Sequence, residues 1–287
     1  MPIEVKNLKF TYMPGTPFAV DAVKDVSLTV EDGEFVGVIG RTGCGKSTLI
    51  QLMAGLIKPD AGQVLLNGAD ICGDGYDRKV LRKTVGVVFQ YPEYQLFEET
   101  VERDVAFGPK KAGMSETEIS KNVDMALSLV GFDPDDIREA SPFDLSGGQK
   151  RKVAIAGVLA TDPNILILDE PIAGLDPMAR ESFMELITQL NASGVTIIMI
   201  SHNMDGLSDF ASRIIAMDGG QVVMDGPPTQ VFADVEKLAA MGLGVSEARQ
   251  AAHMLAQRGW DIPNDIITVD ALVDYVTAYL GKGGGNA

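Results

Sequence analysis

The sequence predicts a mixed α/β fold, a mostly parallel core sheet with an antiparallel β edge, on three observations. Gly40-Arg41-Thr42-Gly43-Cys44-Gly45-Lys46-Ser47 fits G-x-x-x-x-G-K-[ST], and it stands between a short apolar, β-branched run (Phe35 to Ile39) and a breaker-free helical run (Thr48 to Ala54). Three further apolar runs, at 84–90, 165–168 and 195–200, end on polar residues, as buried strands do at the carboxyl edge of an open sheet. Residues 3–30 alternate in the way of antiparallel strands, and Gly219-Gly220 joins two short apolar runs as a closing hairpin.

Composition narrows the possible functions. A formal net charge of −16 over 287 residues argues against a sequence-independent grip on nucleic acid or anionic lipid, since both need a basic face. The length admits one large domain or two. The two cysteines, Cys44 and Cys72, suggest neither a disulfide framework nor a metal cage and fit a reducing compartment. The start Met-Pro-Ile-Glu-Val-Lys lacks a signal-peptide layout, and no apolar run approaches the length of a membrane span, so any membrane role is expected to pass through a partner.

Taken in order, Ile3, Val5 and Leu8 precede the loop Met13-Pro14-Gly15-Thr16-Pro17, and Val26, Leu28 and Val30 follow it. Tyr12, or else Phe18, is an aromatic beside that loop, suited to lie on a purine ring or simply to pack. In the glycine loop, Gly40, Gly43 and Gly45 let backbone N–H groups turn inward, and the helix N-terminus adds partial positive charge. Lys46 is then expected to reach the β- and γ-phosphates and the Ser47 hydroxyl to ligate Mg²⁺, which makes ATP or GTP with Mg²⁺ the expected ligand. Residues 58–62 form a turn, 63–66 a strand, and Asn67-Gly68 a hairpin.

The strand at 84–90 ends on Gln90. From Phe97 to Ala140 the pattern is helical, with a Ser115-x-x-Glu118 capping box and an apolar stripe of Ile119, Val123, Ala126, Leu127 and Val130. Leu145-Ser146-Gly147-Gly148-Gln149 opens a helix running to about Ala160, either as a second anion site or as an ordinary Ser N-cap. The apolar strand 165–168 terminates on Asp169 and Glu170, two carboxylates that no core tolerates unpaired. Gly174-Leu175-Asp176-Pro177 turns into a helix of about fifteen residues, and the strand at 195–200 delivers Ser201-His202 to the same edge. His253, inside a helical stretch, reads as structural. From about Val235 two small amphipathic helices are expected, with stripes Ala248, Ala251, Ala252, Leu255 and Val269, Leu272, Val273, Val276, followed by a disordered tail over 281–287.

The ordered set GRTGCGKS, strand-end Gln90, LSGGQ, ILILDE, GLD and strand-end His202 resembles the ATP-binding cassette family over residues 3 to 235. Within it, FQYPEYQLFEETVERDVAFGPK, the TPF at 16–18 and LSGGQKRKVAIAGVLA look like the ATPases of energy-coupling-factor (ECF) vitamin and metal importers, most like the A-prime type. The resemblance implies a P-loop NTPase with a RecA-like core sheet, a helical insert at about 91–160, a cassette over 1–235 and a C-terminal helical region over 236–280. It implies that Tyr12 stacks on adenine and that the loop Gly40, Arg41, Thr42, Gly43, Cys44, Gly45, Lys46, Ser47, with Thr48, holds phosphates and Mg²⁺. Asp169 and Gln90 would complete the metal shell, and Glu170 would be the general base, with Gln90 and His202 orienting the attacking water. Ser146, Gly148 and Gln149 would bind the γ-phosphate held by the opposite protomer of a head-to-tail dimer, with Asp176 at that interface. The family usually carries Thr where this chain has Ile172.

The partners so implied are a second ATPase of the family (heterodimer or homodimer), a transmembrane coupling subunit and a substrate-binding membrane subunit, with the chain peripheral on the cytoplasmic face. The acidic run Glu93, Glu98, Glu99, Glu102 and Asp104, set among aromatics, is expected either to be a solvated acidic face or to form a groove for the coupling subunit, pairing an Arg there. Helix-end charge is expected to favour a reactive Cys44 thiolate that ATP shields. The rival reading, a soluble cassette ATPase acting as a clamp in nucleic-acid repair or translation, calls for basic or coiled-coil inserts or two cassettes, none of which is present. A degenerate, non-hydrolysing subunit is opposed by intact Glu170 and His202.

Overall fold

The computed structural model describes residues 2–283. It opens with the hairpin β1 (Ile3–Tyr12) and β2 (Val20–Val30), antiparallel from Ile3 opposite Val30 to Tyr12 opposite Val20 with irregularities between Val5 and Thr11. β3 (Phe35–Gly40) and α1 (Lys46–Met53) flank the glycine loop. β4 (Ala61–Leu66) pairs with β1 and turns at Asn67-Gly68 into β5 (Ala69–Asp70), and α2 (Arg78–Thr84) leads into β6 (Val85–Val88). A 3₁₀ turn (Pro92–Gln95), α3 (Val101–Ala112), α4 (Glu116–Leu129), α5 (Pro134–Ile137) and α6 (Gly147–Leu159) build the helical segment. β7 (Ile165–Asp169), α7 (Pro177–Ala192), β8 (Thr196–Ile200), α8 (Met204–Phe210), β9 (Arg213–Asp218) and β10 (Gln221–Gly226) follow. The described chain ends with α9 (Pro228–Val231), α10 (Val235–Ala240), α11 (Glu247–Gln257) and α12 (Val269–Gly283).

Two sheets result. One is antiparallel, in the order β2-β1-β4-β5; the other runs β10-β9-β3-β8-β7-β6, parallel except for the β9–β10 hairpin. Side-chain alternation on the second sheet divides the core in two. Val36, Val38, Ile165, Ile167, Ile198 and Ile200 face α1 and the antiparallel sheet. Phe35, Ile39, Leu166, Leu168, Ile197 and Met199 face the helices, where the Ile119–Val123–Ala126–Leu127 stripe of α4 packs. Each such Ile or Leu, burying its side chain fully, stabilises the fold by roughly 1.5–3 kcal/mol. With both faces covered, the parallel strands read in sequence as unbroken apolar runs, and their polar residues collect at their ends.

The capping box of Ser115 and Glu118 forms as expected, and α6 has one of its own from Ser146 and Gln149. The C-terminal part differs from expectation. Three helices, not two, follow Val235, because α10 is six residues long and shows no periodicity a sequence window can detect. α10 contributes Leu238 to the helix-side core, whereas α11 and α12 share a small cluster of Ala252, Ile262 and Ile266. The apolar stripe of α12 is only half used, since Val269 and Val273 stay exposed. α12 also carries on through Gly283, so Gly281 to Gly283, expected in a disordered tail, are helical; residues 284–287 lie outside the described part. Among the described residues no helix is long and apolar enough to cross a membrane.

Candidate functional site

The parallel sheet brings its carboxyl ends to one pocket of about 870 Å³. Gln90, beyond β6, Asp169 and Glu170, at the end of β7, and His202, beyond β8, line it together with Tyr12, Thr42, Gly43, Gly45, Lys46, Ser47 and Thr48. Five segments far apart in sequence thus line one pocket, three of them at strand ends.

The glycine loop closes tightly over α1. Gly45 has φ 107°, and a Cβ there would lie 2.1 Å from the Ala22 carbonyl oxygen, so no side chain fits. Lys46 is only 6 % exposed, and its Nζ donates to the carbonyls of Gly40 (2.6 Å) and Arg41 (3.1 Å). Tyr12 remains 42 % exposed, edge-on to Phe10, with its hydroxyl 3.3 Å from Thr48 Oγ1. Phe18, at 76 % exposed, is not among the lining residues. Gly40, Arg41 and Cys44 belong to the loop but not to the pocket wall; Gly242, in the bend after α10, lies close against the Arg41 side chain.

Cys44 corrects an expectation. It is buried in the core between α1 and the sheets, and that burial pushes its thiol up more than neighbouring Lys46 and the loop amides pull it down. A reactive thiolate is not what this environment favours.

The carboxylates sit under the pocket. Burial raises the Asp169 pKa, while a hydrogen bond with Ser47 and the charge of Lys46 act the other way. A hydroxyl and a carboxylate side by side are hard oxygen donors of the kind Mg²⁺ takes when phosphates and water supply its remaining ligands. The described residues hold no cluster of three or more His, Cys, Asp or Glu that could hold a metal ion. Glu170 occupies a left-handed backbone conformation (φ 50°), with its N–H bonded to Ile200 O at 3.0 Å. Burial also raises its pKa, opposed chiefly by His202, whose Nε2 lies 3.2 Å from Glu170 Oε1. That buried Oε1 has no hydrogen-bond partner of good geometry.

Ser146, Gly148 and Gln149 fall outside this pocket and are exposed. Asp176 caps α7, accepting from the Ala179 N–H at 2.9 Å. Ile172 is buried in the helix-side core while lining the pocket. The acidic run is less free than expected. Asp104 accepts from the Phe97 and Glu98 N–H groups, Glu99 pairs with Arg103 and Glu102 with Arg138. These partners lie four to seven residues away or across α5, a distinction that counting charges does not make. His253 lies 2.9 Å from Gln257 Nε2, away from the pocket.

Sequence reasoning missed Arg180 and Asn203, both lining the pocket; Ser201, expected at this edge together with His202, lines it too. Ser201 Oγ accepts from the Asn203 N–H (3.0 Å), and Asn203 caps α8, so the two fix the turn that carries His202. Arg180 lies one turn into α7, and its position after the Gly174–Pro177 turn was the available signal.

Comparison with known proteins agrees with this geometry. A family model described as ABC transporter matches residues 23–173, just over half the chain. The chain is 48 % identical over 280 residues to the energy-coupling factor transporter ATP-binding protein EcfA2 of Symbiobacterium thermophilum, covering 98 % of this chain and 97 % of that protein. Among solved structures it is similar to cbiO1 from Clostridium perfringens, described as part of the ABC transporter complex cbiONQ, at 36 % identity and TM-score 0.70 over 88 % of this chain and 98 % of that one. It is similar also to the cassette MJ0796 in a dimeric post-hydrolysis state bound to ADP and Pi, at 31 % identity and TM-score 0.69, over 78 % and 98 %. With a phosphate loop, paired carboxylates and histidine meeting at one sheet edge, and relatives matched end to end, the chain belongs to the ABC transporter ATPases, among the energy-coupling factor ATP-binding proteins.

Proposed function

We propose that this chain binds ATP with Mg²⁺ in the pocket between Tyr12 and the phosphate loop, and that its hydrolysis there energises an ECF-type importer of vitamins or transition-metal ions. Tyr12 offers an exposed ring to the adenine. Thr42, Gly43, Gly45 and Thr48 cradle the phosphates, and Lys46 exchanges its two carbonyl partners for phosphate oxygens. Ser47, Asp169 and Gln90 are the residues that would hold Mg²⁺, which supplies charge neutralisation on the phosphates. Glu170 accepts the proton of the attacking water, His202 holds that carboxylate ionised, and Gln90 orients the water. The observation that carries this reading is Glu170 Oε1: a buried carboxylate oxygen with His202 Nε2 3.2 Å away but no well-aligned hydrogen bond, on the wall of a pocket that holds Lys46.

The exposed Ser146-Gly147-Gly148-Gln149 entrance to α6 would serve a nucleotide on a second ATPase, head to tail. The cassette is assigned to 1–235 and the helical appendage to 236–280. Tyr94, Phe97 and Phe107 are exposed beside Glu98, whose carboxylate has no partner among the described residues, and this surface would receive an Arg-bearing helix of a transmembrane coupling subunit. The chain would thus lie on the cytoplasmic face of the membrane, with a substrate-binding membrane subunit completing the complex. The test is a detergent pull-down of tagged wild-type and Glu170→Gln protein from native membranes, with and without Mg-ATP. A second ATPase and polytopic membrane proteins are the expected catch; nucleic acid or ribosomes in their place would overturn the transport reading.

A further inference from the structure

Among the described residues, five buried side-chain atoms lack a hydrogen-bond partner, and three of them are Glu93 Oε2, Arg151 Nε and Glu170 Oε1. They belong to the loop after Gln90, to α6 and to the end of β7; Arg151 is bonded to the segment after Glu170 and feels the charge of Glu93. It lies in the second turn of α6 and is 5 % exposed. Its Nη1 donates to Ala173 O at 2.9 Å and its Nη2 to Pro171 O, so the guanidinium grips the backbone immediately after Glu170. Glu93, in the 3₁₀ turn three residues beyond Gln90, attracts that guanidinium, yet no hydrogen bond joins them.

A buried acceptor and a buried donor of opposite charge, both unsatisfied and both desolvated, form a pair that gains by closing. The planar fork of arginine suits this arrangement, because two N–H groups can hold carbonyls while a third stays available to a carboxylate. A lysine ammonium has three donors but no fixed plane, and cannot span the same three acceptors. Both flanking segments are held in left-handed backbone conformations, at Tyr91 (φ 57°) and Glu170 (φ 50°), so small rotations at either end redirect the residues that follow.

We propose that Arg151 is a positioning residue for ATP hydrolysis, and that Glu93 closes on it when the Gln90 loop shifts, so that the guanidinium carries the shift into the segment holding Glu170. The inference rests on Glu170 being the base. It predicts that turnover, rather than ATP binding, depends on the Glu93–Arg151 contact.

The experiment is a double-mutant cycle of Glu93→Gln and Arg151→Lys in the full chain, purified with the subunits that accompany it, read as kcat and KM for ATP with Tm alongside. Each single variant is expected to lower kcat about tenfold with KM within about twofold, and the double variant to be no worse than either single one. Glu93→Gln keeps the side-chain shape and all backbone contacts of Arg151, so it decides the question if Arg151→Lys fails to fold. Wild-type kcat in Glu93→Gln, effects that multiply independently, or a fall in Tm with kcat preserved would overturn the proposal and leave Arg151 a structural staple. Glu170→Gln is the control. Wild-type turnover in that variant sinks the base assignment; lost turnover there, with full turnover in Glu93→Gln, sinks only the coupling.

Discussion

Two glycine-bearing helix N-termini, those of α1 and α6, begin from the same chemistry and are finished differently. Gly45 caps α1 with no side-chain hydrogen bond, in a left-handed conformation that only glycine takes easily, and the first residues of the helix line an 870 Å³ pocket. At α6 the ends are already met: Ser146 Oγ accepts from the Gln149 N–H and Gln149 Oε1 from the Ser146 N–H, and the turn stands exposed. The first end needs an anion to complete it. The second is stable alone and available to something outside the chain. The contrast teaches that the same kind of helix entrance is left open where it lines a pocket and is closed by its own side chains where it faces outward.

The sharpest way to break the contrast is to damage each end separately. Lys46→Ala should weaken ATP binding by about a hundredfold or more and abolish turnover, since it removes a buried amine held within the glycine loop on the pocket wall. Gly148→Asp, which meets open space and so leaves the fold intact, should lower turnover by a similar factor while ATP binding to the isolated chain stays unchanged. Equilibrium binding of a fluorescent ATP analogue beside steady-state hydrolysis distinguishes the two. Loss of binding in Gly148→Asp would mean that α6 serves the nucleotide of its own chain.

A smaller effect separates binding from chemistry within the α1 pocket. Glu170→Gln should retain ATP and lose about two to four powers of ten in kcat, the range general-base catalysis supplies. Because burial raises the Glu170 pKa above its usual 4.5, the acidic limb of the kcat profile should lie above that value and vanish in residual Glu170→Gln activity. The same shift has a stability sign. The folded chain holds this proton more tightly than the unfolded one, so without nucleotide stability falls as pH rises from 4.5 through the raised value. Thermal denaturation of Glu170→Gln should show less of that fall, and an unchanged pH slope would assign it to Asp169 or Asp209, whose pKa values burial also raises.

Smaller still is the expected effect on the outer surface. Glu98→Lys should release the membrane partners in a pull-down without altering ATP affinity, because Glu99, Glu102 and Asp104 are engaged within the chain and Glu93 Oε2 is buried, whereas the Glu98 carboxylate has no partner among the described residues. Full recovery of the partners would place the docking surface elsewhere.

How much of this was legible follows from where the signals are local. The strand-glycine-helix order at 35–54 and the apolar strands ending on Gln90, Asp169, Glu170 and His202 are written in contiguous residues, and the parallel sheet brings them together by topology alone. Arg180 and Asn203 were not read from the sequence: the turn at 174–177 hinted at the first, but neither residue's immediate neighbours separate a lining residue from a helix cap or a solvated arginine. The pairing of Glu102 with Arg138 depends on how α5 folds back on α3, which no periodicity states. α10 escaped because a helix of six residues is fixed by packing Leu238 into the core rather than by its own propensity.

Cys44 gives the finest test of how the uncapped end of α1 spends its positive potential. The thiol sits one residue before Gly45, where helix-end charge and Lys46 both favour thiolate, yet its side chain points into the core and not into the pocket. Desolvation weighs more than the neighbouring charge, so iodoacetamide labelling at neutral pH should be slow, and equally slow with and without ATP. Cys72, only partly buried and with a thiol also raised by burial, serves as the reference within the same chain and should label faster. Fast labelling of Cys44 that ATP suppresses would show that the thiol reaches the phosphates, and that the loop opens enough in solution for the helix end to act on the sulfur before it acts on the nucleotide.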